Sequence, residues 1–319
     1  MSKKLIFFGE SIGRPQCNTE WFPCFNHHFR NNFLIPNFEV ITAKCISTKG
    51  HGRVYEYEGH KVTINANNLI LLNPSNNKSV SFTTYYNLAE LRGSNKKFFK
   101  ETLIKCFSGH YNDALIEIEW PEADKISPWY FRPHFWGGVL TKNQYSPTKN
   151  QAFFRGIDIK DSRDFIKILQ SQKLPDVNVK IGKMPPADYA QEICSSRCAI
   201  NAPGVRDMCY RDIDNFGMGI PTIRPHFTSR LLIDIPEDIY FPVDHKILGR
   251  KPNPKLQGMP SDHKSLAKDV LKKWNEVKDD ESLLNKVSNN AKDFHTSYFT
   301  NDKIAKNSLK LLEESGIFD

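Results

Sequence analysis

The sequence predicts an α/β protein of two domains, built on parallel, doubly wound sheets. Three observations carry this. The chain has 319 residues, more than one ordinary domain of about 150 residues and enough for a buried core. Short apolar runs end in Gly- or Pro-bearing loops and lead into amphipathic segments, most regularly in the second half. Aromatic residues make up 12%, with 22 Phe, 11 Tyr and 5 Trp, which excludes a disordered, collagen-like or low-complexity chain.

Taken in order, Leu5–Phe8 is a short apolar strand that ends at Gly9-Glu10, where backbone can approach a ligand closely. Val62–Ile64, Leu69–Leu72 and Val80–Thr84 are strand candidates between Asn-, Pro- and Ser-rich turns. Asn87–Gly93 and Lys96–Cys106 read as helical, and Ala114–Ile118 as a strand. Thr141–Gln151 is polar, contains a proline and serves as the candidate linker. Ala152–Phe154 is then a strand, and Ser162–Gln170 a helix capped by Asp161 or Ser162. Val177–Ile181 is a strand, Pro186–Ser195 a helix, Ala199–Ala202 a strand, Tyr210–Phe216 a helix and Ile220–Ile223 a strand. The last fifty or so residues are helical: Leu266, Val270 and Trp274 share a face, Asp280 caps a second helix, Thr300 or Asn301 a third, and Gly316 closes it.

Composition narrows the function classes. No stretch nears the ~18 consecutive apolar residues of a membrane span, and the apolar run at the N-terminus is shorter than the ~7 residues of a signal core. A cytoplasmic protein is therefore expected. The seven cysteines show no metal-type spacing and are expected to be free thiols. The net charge of +8 favours an anionic partner, although a solvated lysine-rich surface accounts for it equally.

Two segments concentrate candidate chemistry. In Asn201-Ala-Pro-Gly204-Val-Arg206-Asp-Met-Cys209-Tyr210-Arg211 a strand ends in Pro-Gly and a helix begins near two arginines. A helix N-terminus has free N–H groups for a phosphate, and arginine adds bidentate, charge-assisted bonds. Cations at a helix start oppose the macrodipole, so an anion is expected there; the plainer reading is a pair of surface cations. In Phe153-Phe154-Arg155-Gly156 and Ser162-Arg163-Asp164 the pattern repeats, and both units can line one anion site. Arg163 has an equal alternative as the ion-pair partner of Asp158 or Asp161. Asp212-Ile213-Asp214 is a D-x-D triplet of the kind that holds a divalent cation, but residues two apart do not face each other on a helix. The paired histidines His27-His28 and the aromatic stretch Trp129–Trp136 read as loop and core, with sugar or base stacking as the alternative for the aromatics.

Phe153-Phe154-Arg155-Gly156, Ser162-Arg163-Asp164, the Gly204…Tyr210-Arg211…Gly219 element and Tyr240-Phe241-Pro242-Val243 resemble the motifs of the CAP10-type protein glucosyl- and xylosyltransferases. The acidic Asp214, three residues after Arg211, resembles the pattern of the exostosin-like transferases. The resemblance spans roughly residues 150–315. It implies two Rossmann-like domains in the GT-B architecture with a helical C-terminal tail. The acceptor-side domain would occupy 1–145, with the helix 301–319 a candidate to join it, and the donor-binding domain 146–300. It further implies transfer of a hexose or xylose from a nucleoside diphosphate sugar such as a UDP-sugar, with inversion and without a metal or other cofactor. The acceptor would be a hydroxyl of a glycan, glycoprotein or glycolipid; no nucleic acid is expected, and membrane contact is expected only peripherally.

On the donor side the resemblance points to Arg155, Gly156, Arg163, Gly204, Tyr210, Arg211 and Asp214, and Arg206 joins them as a cation near the helix start. Arginines and helix N-termini can neutralise a departing diphosphate. The base for the acceptor hydroxyl would be Glu119, which follows an apolar strand and precedes Trp-Pro; Glu10 is the second candidate and Asp113 a third. Glu117 shares the face of Glu119, so both are equally readable as solvent-facing carboxylates. Two alternatives remain: a non-catalytic protein that binds nucleic acid or acidic glycan, and a metal-dependent transferase using Asp212 and Asp214.

Overall fold

The computed structural model describes residues 3–9, 21–49, 52–65, 68–83, 101–109, 123–130, 143–157, 163–203, 208–227, 231–244 and 262–319. The chain divides into two compact units. One comprises Met1–Pro133, Arg230–Ile233 and Phe299–Asp319, the other His134–Ser229 and Asp234–Tyr298.

The first unit is built on a six-stranded mixed sheet. Its strand β1 (Lys4–Phe8), second from one edge, is buried along nearly its whole length, as its apolar run requires. β2 (Glu39–Thr42) runs parallel beside it on one flank. β3 (Lys44–Lys49), β4 (Gly52–Tyr57) and β5 (His60–Asn65) form a separate antiparallel meander. The β4–β5 turn places Glu58 and Gly59 at φ 48° and 76°, the paired left-handed conformation that suits hairpin twist. On the other flank of β1 lies β6 (Asn68–Asn73), antiparallel, followed by β7 (Lys78–Thr83), also antiparallel to it. β8 (Leu103–Ser108) and β9 (Ile126–Pro128) complete the sheet in parallel pairings.

Period-two alternation sorts the side chains. Ile6, Phe8, Ile70 and Leu72 face the meander and meet Tyr55, Val62 and Ile64. On a second set of contacts, Phe25 and Phe29 of α1 (Trp21–Phe29) cluster with Phe82 and Trp129. Burying each such ring contributes roughly 1.5–3 kcal/mol. Trp129 Nε1 donates to Ser308 Oγ at 3.0 Å, and His28 Nε2 lies 2.8 Å from Asp302 Oδ1. Trp129 and Tyr130 are thus core and His28 an anchor for the C-terminal helix; residues 131–136 lie outside the described residues.

Several expectations need correction. The helix expected over Lys96–Cys106 ends by Thr102, because Leu103–Ser108 pairs with β7 from Ser79 to Thr83. Helical periodicity in a short apolar run yields here to the hydrogen bonds of a neighbouring strand. α1, β2, β3, β4 and β9 are not among the elements the sequence predicts. The expected elements Asn87–Gly93 and Ala114–Ile118 lie outside the described residues.

The second unit carries a wholly parallel five-stranded sheet in the order β11-β10-β12-β13-β14. The strands are β10 (Lys149–Gly156), β11 (Val177–Ile181), β12 (Ser196–Ile200), β13 (Thr222–Pro225) and β14 (Phe241–Val243). Ala152 and Phe154 point to one face, where α2 (Asp164–Gln172) and α5 (His263–Val277) supply Phe165, Leu169, Leu266, Val270 and Trp274. Phe153 points to the other, toward Ala190 and Ile193 of α3 (Pro186–Ser195) and Met218 of α4 (Tyr210–Met218). Helices on both faces of an open parallel sheet make this unit a Rossmann-like α/β domain.

Boundaries shift in places for identifiable reasons. α2 starts at Asp164 with Arg163 as its N-cap residue, not at Ser162. β13 starts two residues later than Ile220, because Gly219 at φ 70° closes α4 and the Ile220 N–H bonds back to Asn215 O. The C-terminal helices keep their expected caps. Asp280 Oδ1 accepts from Leu283 N ahead of α6 (Glu281–Tyr298), and Thr300 Oγ1 from Lys303 N at the start of α7 (Asn301–Glu314). No helix of the described residues is long and apolar enough to cross a membrane.

Candidate functional site

In chain order the parallel sheet reads 2-1-3-4-5, so the connections reverse direction between β10 and β12. Open α/β sheets bind ligands outside the carboxyl ends of their strands at such a switch point. A cavity of 410 Å³ lies there. Arg155, Gly156 and Ile157 line it from the end of β10. Gly182, Lys183 and Met184 follow β11, Pro186 and Tyr189 belong to α3, and Arg211 and Asp214 come from α4. Among the described residues three cations face one carboxylate, so this part of the wall carries a positive excess.

Gly156 explains how the cations come together. A Cβ at this position would stand 2.9 Å from Arg163 Nη1, 2.9 Å from Arg211 Nη2 and 3.0 Å from Phe154 Cζ. Glycine therefore lets two guanidinium groups close on the strand end. Both lie over the Phe154 ring, at 5.6 Å for Arg163 and 5.1 Å for Arg211. The negative face of the ring and the Ile157 carbonyl, which accepts from Arg163 Nη1, offset part of their mutual repulsion. Arg163 is buried and sits behind Gly156 rather than in the cavity wall. Arg211 is also buried, yet it reaches the cavity, and its Nη1 donates to Asn201 Oδ1 at 3.3 Å.

Among the described residues two buried donors in this wall have no acceptor: Arg155 Nε and the Tyr189 hydroxyl. Burial pushes the Tyr189 phenol well above its ordinary value, against the opposing Arg211 charge, so it stays a neutral donor. Orphaned donors in a cationic cavity are a standing cost that an acceptor-rich ligand removes.

The D-x-D triplet is divided between two tasks. Asp212 is 1% exposed; its Oδ1 pairs with Arg224 Nη1 at 3.0 Å, and its Oδ2 accepts from Cys209 N at 2.8 Å in a capping box. Only Asp214 reaches the cavity. Among the described residues no group of three His, Cys, Asp or Glu side chains can hold a metal ion. Asp212 also corrects the electrostatic expectation at this helix. The anion that answers the macrodipole is internal, so the helix start by itself does not call for a ligand.

Of the residues singled out from sequence, Arg155, Gly156, Arg211 and Asp214 meet at the cavity and Arg163 braces it. Gly204, Arg206, Glu10, Asp113, Glu117 and Glu119 lie outside the described residues, as does the side chain of Tyr210. Sequence reasoning missed Gly182, Lys183 and Tyr189. Their signal was present: Val177–Ile181 ends in Gly182-Lys183 and a Pro-started helix, the same strand–loop–helix pattern as Arg155-Gly156.

No protein-family model matches the chain, and no curated protein matches it. Solved structures do show likeness. A sucrose-phosphate synthase from Thermosynechococcus elongatus aligns at 17% identity over 50% of this chain and 36% of its own, with a TM-score of 0.33. A glycosyltransferase from Rickettsia africae aligns at 10% identity over 70% and 67%, with a TM-score of 0.45. The pneumococcal O-GlcNAc transferase GtfA, in complex with UDP and GlcNAc, aligns at 11% identity over 86% and 69%, with a TM-score of 0.37. The chain thus spans little more than a third of the synthase it matches.

Proposed function

We propose that this chain is a glycosyltransferase of GT-B architecture, of the CAP10 and exostosin-like kind, whose second unit binds a nucleoside diphosphate sugar. The observation that carries the reading is the switch-point cavity, where Arg155, Lys183 and Arg211 converge and where the donors Arg155 Nε and Tyr189 Oη have no acceptor among the described residues. A diphosphate supplies the charge and the acceptors this wall lacks. Ile157, Met184 and Pro186 give the cavity an apolar side that suits the uncharged part of such a donor.

In the proposed reaction an acceptor hydroxyl loses its proton to one carboxylate, that of Glu119 or, as the second candidate, that of Glu10. The new bond to the anomeric carbon forms on the face opposite the leaving diphosphate, so configuration inverts. The bond to the diphosphate oxygen breaks, and Arg211 and Arg155 take up the charge developed there. No metal is required, since guanidinium groups neutralise the leaving group. The acceptor is a hydroxyl of a glycan, glycoprotein or glycolipid.

A thermal-shift panel with UDP, GDP, CMP and TDP, with Mg²⁺ and with EDTA, tests the reading, because a ligand of the native state raises the melting temperature. A metal-independent rise with one diphosphate supports it and names the donor class. No rise with any of them at millimolar concentration refutes it. A rise that needs Mg²⁺ refutes the metal-free version.

A further inference from the structure

The cavity-facing guanidinium of Arg211 is held by a residue that does not line the cavity. Asn201 stands just beyond β12 and is fully buried. Its Oδ1 accepts from Arg211 Nη1 at 3.3 Å and from the Ala202 N–H at 3.0 Å. Its Nδ2 donates to Asp212 Oδ1. The amide can face only one way: turned over, it would set NH₂ against a guanidinium and an N–H, and its oxygen against a carboxylate. Asp212 is the chain neighbour of Arg211, yet its Oδ1 is engaged by Arg224 and Asn201, and its Oδ2 by Cys209 N.

We infer that Asn201 is a positioning residue for anion binding: its amide stands between Arg211 and Asp212 and aims the guanidinium at the cavity over Phe154. Arg224 completes the arrangement from β13 by occupying Asp212, with its guanidinium carbon 3.3 Å from the Phe227 ring centroid. This inference rests on the anion-site reading of the cavity and adds a residue to it that touches no ligand. An aspartate here would lose the donor to Asp212, and an apolar residue would lose both contacts.

The test is a double-mutant cycle read by calorimetry, with UDP and inorganic pyrophosphate as probes and melting temperatures measured alongside. The proteins are wild type, Asn201→Ala, Asn201→Ser, Arg211→Ala and the Asn201→Ala/Arg211→Ala and Asn201→Ser/Arg211→Ala double variants. If Asn201 acts through Arg211, Asn201→Ala weakens both probes about tenfold in the wild-type background and less than twofold in the Arg211→Ala background. A merely structural role lowers the melting temperature but leaves affinity unchanged, or weakens binding equally in both backgrounds; either result overturns the inference. Asn201→Ser, in the same cycle, covers the case in which the alanine variant does not fold. Wild type binding neither probe would bring down the anion-site reading and this inference with it. Wild type binding with no loss in the Asn201 variants would sink the inference alone.

Discussion

Gly156→Ala isolates the contact on which the cation cluster depends. Gly156 lies in a strand without a left-handed φ, so alanine adopts its backbone without strain. The effect then comes from the added methyl alone. That carbon would stand 2.9 Å from a nitrogen of each guanidinium, against an ordinary contact of at least 3.4 Å. Each group must retreat by about half an ångström, and both are buried. Overpacking of this kind costs about 1–3 kcal/mol, and the loss of glycine freedom in the unfolded chain returns about 0.4–1. The melting temperature should fall by only a few degrees. Ligand binding should suffer more, because a displaced Arg211 forfeits a charge-assisted hydrogen bond worth about 1.5–3 kcal/mol. Calorimetric titration with UDP should show about 10–100-fold weaker binding. Affinity within twofold of wild type would refute the claim that the two guanidinium groups converge on Gly156 for a ligand.

Other perturbations address neighbouring claims. Arg211→Ala should weaken UDP about 10–100-fold in the same titration, and Arg211→Lys should not restore it, since lysine lacks the planar fork that stacks on Phe154 and bonds bidentately; full rescue by lysine would mean that only charge matters. Arg224→Met strands the Asp212 charge in the core and should cost about 3–5 kcal/mol in urea unfolding, with a loss under about 1 kcal/mol contradicting the buried pair. Glu119→Gln should leave UDP binding intact and abolish sugar transfer; surviving turnover would place the base elsewhere. Glu192 is held below the usual carboxylate range by hydrogen bonds from Lys149 and Gln151 that outweigh burial. Because its folded pKa is depressed, its stabilisation is present above the unfolded value of about 4.3 and is lost as pH falls through the folded one. Glu192→Gln should therefore cost stability at pH 7, with the gap to wild type closing below about pH 4; a gap independent of pH would show that its charge plays no part.

The second unit was largely legible because its signals are local. Ala152-Phe153-Phe154 alternates faces as a strand buried on both sides must, and Asp280 and Thr300 cap where short polar side chains precede apolar periodicity. The first unit was harder. Glu58-Gly59 between alternating runs is a hairpin signal, weakened by the mix of charge and aromatics in Arg53-Val-Tyr-Glu-Tyr57. Leu103–Cys106 reads as the end of a helix, and pairing with β7 makes Leu103–Ser108 a strand instead.

For the site, the amino-acid sequence determined which residues can serve: an Arg-Gly at a strand end, an arginine at a helix start, a Gly-Lys after another strand. Each is a statement about a few contiguous residues and the free N–H groups or flexible backbone they create. Tertiary structure decided which of them meet. Residues 155, 183, 189 and 211 share one cavity because the strand order places β10 between β11 and β12, and that order depends on how whole helices cover the two faces. The same holds for Asp212 and Arg224. Twelve positions apart on a helix and a later strand, they form a buried pair that no local pattern encodes, since its energy exists only once water has been excluded from both.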